Sequence, residues 1–300
     1  MFSLVNNFTI ITSSKDIASF TMLNYLKNEV GFEDSFSLDD RAKLGIDKNQ
    51  DARNSDSRIR FLKCKKYNNL NLVVTDEELI HIKNIDKFEF PNNVLIFLSK
   101  HASKSKIPAL TSHFTGNFST DKSLGGAAFE IGIAYPSFQK EYMKNLFSMK
   151  NSLPKYDLTI ESSHHGPTSS SNPILFIEIG SSEEEWNNKE TAKMVCDCLI
   201  QTIQNVNKKA NNEELEIAIG LGGNHYPQKF NNLILSSNVA FASIASKHNL
   251  RFINNEMLNQ MWEKSIEKVT SIYIDKKGMG SEKNRILSLL RTHVLEPKYI

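Results

Sequence analysis

The 300-residue sequence predicts an α/β fold: a mixed, largely parallel sheet flanked by helices. Three observations carry that expectation. Five short runs, "LNLVVT", "NVLIFLS", "YDLTIES", "ILFIEIG" and "LEIAIGLGG", are apolar throughout rather than alternating, which suits strands covered on both faces. Between them, apolar residues recur at helical spacing behind capping residues. Strand and helix then alternate along the chain, the pattern of layered α/β domains.

Taken in order, "FTIIT" (Phe8 to Thr12) reads as a first strand, and Ser13-Ser14-Lys15-Asp16 as the cap of a helix through Ala18, Met22, Leu23, Leu26 and Val30. Residues 33–57 are polar and irregular and read as an excursion without chemistry. Strands are expected at Leu70–Thr75, Asn93–Ser99, Tyr156–Ser162, Ile174–Gly180 and Leu215–Gly223. One long helix is expected between the last two. Its start is marked by Ser181-Ser182 and the carboxylates Glu183, Glu184 and Glu185, and its stripe runs through Val195, Leu199, Ile203 and Val206. Helices at 233–247 and 255–268, a short strand at "SIYID" and a helix at 282–291 complete the pattern. No repeat or linker divides it, so residues 1–300 read as one domain.

Composition narrows the classes. Apolar residues make up 40% and charged residues 23%, the balance of a soluble globular chain. The apolar runs are too short to span a bilayer. The first residues lack a basic segment and a small-residue cleavage site, so a cytoplasmic protein is expected. Three cysteines, Cys64, Cys196 and Cys198, make no disulfide framework. A net charge of +2 neither demands nor excludes a nucleic-acid partner, because gripping only the end of an RNA takes few phosphate contacts. Lys63, Lys65 and Lys66 form one local cluster, read as solvated surface; Lys100, Lys104 and Lys106 form another beside His101.

The chemistry gathers in histidines. His101 lies in "FLSKHASKS", His113 in "TSHFTGN", His164 and His165 in "ESSHHGPT", and His225 in "GLGGNHYP". Four of the five are expected at carboxyl ends of strands, where open α/β sheets form their ligand crevice. Adjacent side chains of an extended chain point to opposite sides, so His164 and His165 reach one centre only if the backbone turns sharply. Gly166-Pro167 supplies such a turn; otherwise the two rings serve different roles. Glu178 inside an apolar strand, and Glu161 at the end of another, are costly to bury unless paired or ligated. Each suits a histidine partner, as metal ligand or as the group that orients an imidazole. Gly220, Gly222 and Gly223 do not make the dinucleotide fingerprint and read as backbone lying close to a ligand. "SLGGAAF" is a second glycine turn. The G-x-S-x-G, H-E-x-x-H and C-x-x-C patterns are absent.

Four blocks together resemble the D-aminoacyl-tRNA deacylases of the archaeal and plant type: "SKHASKSKIPALTSHFTGN" (Ser99 to Asn117), "LTIESSHHGPT" (Leu158 to Thr168), "PILFIEIGSSEEEW" (Pro173 to Trp186) and "GLGGNHYP" (Gly220 to Pro227). They stand in the family's order over most of the chain. Lys106 departs from the pattern, standing where a small residue such as Gly is expected. The resemblance implies hydrolysis of the ester of a D-aminoacyl-tRNA, such as D-tyrosyl-tRNA, gripped at its 3′ acceptor end, to give free tRNA and a D-amino acid. It implies a monomer with a phosphorylase/hydrolase-like core shared with peptidyl-tRNA hydrolase, and zinc, up to two ions per subunit. Carried onto this sequence, His164, His165, His225 and Glu178 are the candidate catalytic residues. His101, His164, His165, Glu178 and His225 are the candidate metal ligands. Lys100, His101, Lys104, His113, Gly166, Thr168, Gly222 and Gly223 are the candidate substrate contacts.

That implication is chemically coherent. Ester hydrolysis needs a positioned water, a base and stabilisation of a developing oxyanion. Imidazoles supply the first two, and the backbone N–H groups of Gly222 and Gly223 are candidates for the third. Two readings from other classes stay open: a zinc-dependent peptidase or amidohydrolase, which the same ligand set suits, and a non-catalytic tRNA-binding protein, suggested by the lysines.

Overall fold

The computed structural model describes residues 5, 7–34, 59–83, 85, 92–208, 214–291 and 296–300. Its strands are β1 (Asn7–Ser13), β2 (Phe32–Asp34), β3 (Arg60–Cys64), β4 (Leu70–Thr75), β5 (Asn93–Ala102), β6 (Ala109–Phe114), β7 (Gly116–Asn117), β8 (Glu130–Ile131), β9 (Asp157–Ile160), β10 (Ile174–Ser181), β11 (Glu216–Leu221), β12 (Val239–Ala245), β13 (Ser271–Ile274) and β14 (Lys298–Tyr299). Eight of them form the main sheet in the order β2-β3-β4-β1-β5-β10-β6-β9. β4, β1, β5 and β10 run parallel, whereas β6 and β9 run against them. A second, all-parallel sheet has the order β12-β11-β13-β14.

The main sheet has two different faces. Helices Ile17–Tyr25, Pro136–Ser148 and Lys189–Lys208 cover one face with an apolar layer that runs on without a break into the second sheet. On the other face the apolar cluster is small, with Ile11, Leu95, Phe97, Ile174 and Phe176 among its members. That face is open to polar chemistry beyond Phe97 and Phe176. Cys196 and Cys198 sit on the 189–208 helix and diverge as helical spacing requires: one Sγ approaches Met22 O and the other Tyr142 O.

Several expected elements are corrected. The helix expected at 233–247 is a helix at Gln228–Ser236 followed by the strand β12. All seven residues of β12 are buried, so its Ala-rich sequence has no alternation to betray a strand. The long helix expected from Ser181 is broken. Glu183–Trp186 forms one turn with a Ser182/Glu185 capping box, and a new helix starts at Lys189, where Asn188 Oδ1 accepts from Thr191 N–H at 2.9 Å. The helix expected to reach residue 268 ends at Glu263. Glu33 and Asp34, expected in the polar excursion, pair with β3; the remainder, 35–57, lies outside the described residues.

Between Ser99 and Tyr156 the sequence pattern does not foreshadow β6, the short strands β7 and β8, or the helix Pro136–Ser148. The helix buries Phe138, Tyr142, Met143 and Leu146, but the same face carries Gln139 and Lys140, which obscures the stripe. Lys140 has a structural role, because its Nζ donates to Ile234 O (2.5 Å), Ser237 O (2.6 Å) and Val239 O (3.0 Å). It thereby closes the 228–236 helix and fixes the start of β12. Lys140→Met leaves these buried carbonyls without their donor and is expected to lower the unfolding free energy by about 3 kcal/mol, measured by urea titration.

Candidate active site

The site grows out of strand alternation on β10. Ile174, Phe176 and Glu178 share one face, and the register sets Phe176 between Phe97 and His113, Glu178 between Ser99 and Thr111, and Gly180 opposite His101. The apolar floor therefore passes directly into a polar patch. Gly180 makes room for the patch, since a Cβ there would stand 2.7 Å from His101 Cδ2. His101, His164, His165 and His225 stand at or just beyond the carboxyl ends of β5, β9 and β11, as expected, but β6 and β9 run opposite to β5 and β10, so these ends do not share one edge and the histidines gather over a face of the sheet.

The chain leaving β9 crosses this patch. Glu161 N–H donates to Ser112 O at 3.0 Å, Ser162 N–H to His225 O at 2.9 Å and Ser163 N–H to Ile244 O at 2.9 Å, so this segment ties the two sheets together. The sharp turn that the paired histidines required is present. His165 has φ +41°, and the Gly166-Pro167 peptide is cis. Gly166 packs backbone to backbone: its N–H donates to Leu124 O at 3.0 Å, and a Cβ would stand 2.1 Å from Gly126 N. As a result the His164 and His165 ring centroids are 4.4 Å apart, and those of His113 and His225 lie 4.0 Å and 4.6 Å from His164.

Two carboxylates, 2% and 4% exposed, organise these rings. Glu178 accepts from Ser99 Oγ at 2.6 Å and lies 3.2 Å from His101 Nδ1 and 3.8 Å from His113 Nε2. Glu161 lies 3.2 Å from the same His101 Nδ1, 2.5 Å from His225 Nε2 and 3.5 Å from His164 Nε2. Burial opposes the charge on His101, but the two carboxylates outweigh it and push the imidazole up to about 11. His113 is raised in the same way, its burial outweighed chiefly by Glu178. Burial, reinforced by the charge of His113, holds His164 well below the usual histidine range and His165 down to about 4. Burial opposes ionisation of Glu161 and Glu178 as well, and the imidazoles overcome it and keep both low.

The donor atoms fit a metal cation. Three overlapping sets, His113/His164/His165, Glu161/His164/His225 and His101/Glu161/Glu178, each bring their donor atoms within 4.8 Å of one another. Backbone carbonyls of Phe114, Ser162 and Gly166 receive the Nδ1 of His113, His164 and His165 at 3.2, 2.9 and 2.7 Å. A carbonyl only accepts, so each Nδ1 is assigned a proton, and the two rings held neutral, His164 and His165, present their Nε2 lone pairs. The Nε2 lone pair of neutral His164 thus faces a Glu161 oxygen at 3.5 Å, a repulsive arrangement that a cation between them would relieve. Both Glu161 oxygens and His113 Nε2 are buried without a hydrogen-bond partner, as unfilled ligand atoms would be.

The remaining expected residues divide. Tyr226, absent from the expected set, joins the cluster: its hydroxyl is 2.5 Å from His101 Nε2 and its ring 5.0 Å from that of His225. Glu161 is legible in the sequence as a costly buried carboxylate but not as the hub, and Ser99 only through its place two residues before His101. Lys100 is directed away by alternation, with its Nζ over the Trp186 ring at 5.5 Å, and Lys104 is exposed on the loop after β5. Thr168 is 1% exposed, donating to Glu130 Oε2 (2.5 Å) and accepting from Ala127 N–H (2.9 Å), so it holds a loop rather than contacting substrate. The N–H groups of Gly222 and Gly223 donate to Ala245 O and Gly278 O, which corrects their expected role as oxyanion donors. Lys106 has φ +53°, the left-handed region in which glycine is at ease. A pocket of about 130 Å³ opens beside His164 and His165, bordered by Asn117, Ser119, Leu124 and Asn249. A larger concavity of about 540 Å³, lined by Phe147 and Leu235, lies away from this chemistry.

Burial and charge lead to two predictions. Folding depresses His164 and His165, so the unfolded chain binds more protons as pH falls below 6.5; their stabilisation is complete above 6.5 and is lost toward about 4. The thermal midpoint of chelator-treated protein should fall across that window, and less steeply for His165→Gln. Gly166→Ala should cost about 3 kcal/mol by overpacking and displace the His165 turn, read as a lowered thermal midpoint.

Comparison with known proteins agrees with this geometry. A model of the D-aminoacyl-tRNA deacylase family matches residues 88–296. A D-aminoacyl-tRNA deacylase of Cenarchaeum symbiosum is 33% identical over 226 residues, 75% of this chain and 84% of its own. One from Thermococcus onnurineus is 32% identical over 286 residues, 94% of this chain and 95% of its own. A solved structure described as a conserved protein of unknown function superimposes with a TM-score of 0.81 at 23% identity, over 99% of this chain and 96% of that one, which is a likeness of fold. The chain belongs to the D-aminoacyl-tRNA deacylase family.

Proposed function

We propose that this protein hydrolyses the ester between a D-amino acid and the 3′ end of tRNA, and that the cluster around Glu161 and Glu178 is its catalytic centre. One observation carries the reading: neutral imidazoles line a pocket directly above two buried, ionised carboxylates. Membership of the family supports the choice of substrate.

The residues divide the work by their electrostatics. His165 is held neutral with Nδ1 on Gly166 O, which leaves Nε2 free to take a proton from an attacking water. His225, with 43% of its side chain exposed, is the most open imidazole of the cluster and stands where the ester approaches Glu161. His101, fixed between the two carboxylates and Tyr226, keeps their charges in place rather than meeting substrate. We assign zinc to the cluster, where His164, His225, Glu161 and Glu178 would hold it, joined by His113 on loss of its Nε2 proton. When bound it supplies Lewis-acid polarisation of the ester carbonyl. We propose a monomer acting on the cytoplasmic tRNA pool. No helix among the described residues is long and apolar enough to cross a membrane.

The test is a time course on D-tyrosyl-tRNA and L-tyrosyl-tRNA, with and without chelator. The D-substrate should be cleaved in preference, and equal rates on both, or none on either, would overturn the reading. Full activity of metal-free protein would remove zinc from the reaction. His165→Ala should lower kcat by about 10²–10⁴-fold, the usual worth of a general base, with little change in thermal midpoint.

A further inference from the structure

A tRNA carries its scissile ester at the end of a helical stem, so a surface beside the pocket has to face a dense row of phosphates. The second sheet supplies one. β11, β12 and β13 are parallel, so their carboxyl ends emerge at one edge. Backbone hydrogen bonds stitch the loops there together: Lys247 N–H donates to Gly223 O at 2.8 Å and Gly223 N–H to Gly278 O at 3.1 Å. Lys247, after β12, and Lys276 and Lys277, after β13, are thereby brought beside the loop that carries His225, and all three are exposed or partly so. The neighbouring carboxylate, Asp275, is occupied by Lys229 at 2.8 Å and by Gly278 N–H at 3.1 Å, so it does not neutralise them. Asn249, two residues beyond Lys247, lines the pocket together with His164 and His165.

We propose that this lysine-bearing edge of the second sheet is the docking surface for the acceptor stem of tRNA, which it holds by the phosphate backbone. The proposal rests on the hydrolase reading above for its substrate. Lysines elsewhere are worse placed. Lys65 pairs with Glu33 at 2.5 Å, which offsets its charge, whereas Lys276, whose Nζ lies over the Tyr299 ring at 5.4 Å, keeps its charge uncompensated. Lys63, close to Lys65 in sequence, is on β3, four strands from β10, or about 19 Å at ordinary strand spacing.

The test compares K247E/K276E/K277E with the distant K63E/K65E/K66E. Binding of labelled, uncharged tRNA is measured over a range of salt, and deacylation is followed on D-tyrosyl-tRNA and on D-tyrosyl-adenosine, which has no stem. The edge variant should bind tRNA at least about tenfold more weakly, with a log Kd–log salt slope shallower by about one for each lysine. It should cleave D-tyrosyl-adenosine at the wild-type rate, and the distant variant should match wild type throughout. Wild-type tRNA binding by the edge variant, equal losses in both variants, or a parallel loss on D-tyrosyl-adenosine would overturn the proposal. Should the triple variant fail to fold, single Lys→Gln variants give the same reading, each expected to remove about one from the slope. Absence of deacylation combined with edge-dependent tRNA binding would refute the hydrolase reading and leave the docking surface standing.

Discussion

The structure depends on keeping two carboxylates charged beneath a sheet-covering loop. An ionised Glu in an apolar interior is expensive, and Glu161 and Glu178 are both almost without solvent. What makes them tolerable is the ring of imidazoles drawn from four separated stretches of chain: His101 and His113 on strands, the His164-His165 turn, and the loop of His225. The arrangement is reciprocal. The carboxylates raise His101 and His113, and the charge thereby held on His113 helps burial to keep His164 and His165 neutral. One cluster so provides both protonated and unprotonated imidazole near neutral pH, which is what acid–base chemistry at an ester requires.

Much of this is legible in the sequence, for reasons that can be named. Apolar runs free of alternation mark strands covered on both faces, and β4, β5, β10 and β11 appear there. Glu178 in such a run announces that a partner must lie across the sheet, and Ser99 and His101 are that partner. The need for a turn at His164-His165 follows from strand geometry alone, and the positive φ of His165 meets it. What escapes are features set by strand direction. Nothing local shows that β6 and β9 run against β10, so the sequence points to an edge where the structure has a face. Lys100 fails as a substrate contact for the opposite reason: simple alternation from His101 already places it on the other side of β5. The N–H groups of Gly222 and Gly223 look free in the sequence because their partners, Ala245 and Gly278, are distant along the chain.

Family membership and geometry support one another without overlapping. The matched region begins at residue 88, which leaves out β1 and the helix Ile17–Tyr25. Every histidine and carboxylate of the cluster falls within the match.

The segment 161–163 has a consequence for how the protein comes into being. Its backbone joins Ser112 of the main sheet to His225 and Ile244 of the second, so the cluster is complete only when strands far apart in sequence have docked. Such long-range closure is slow compared with helix or hairpin formation. Because the partners of Ser162 and Ser163 lie at His225 and Ile244, this tie and the complete cluster require that β12 has been made.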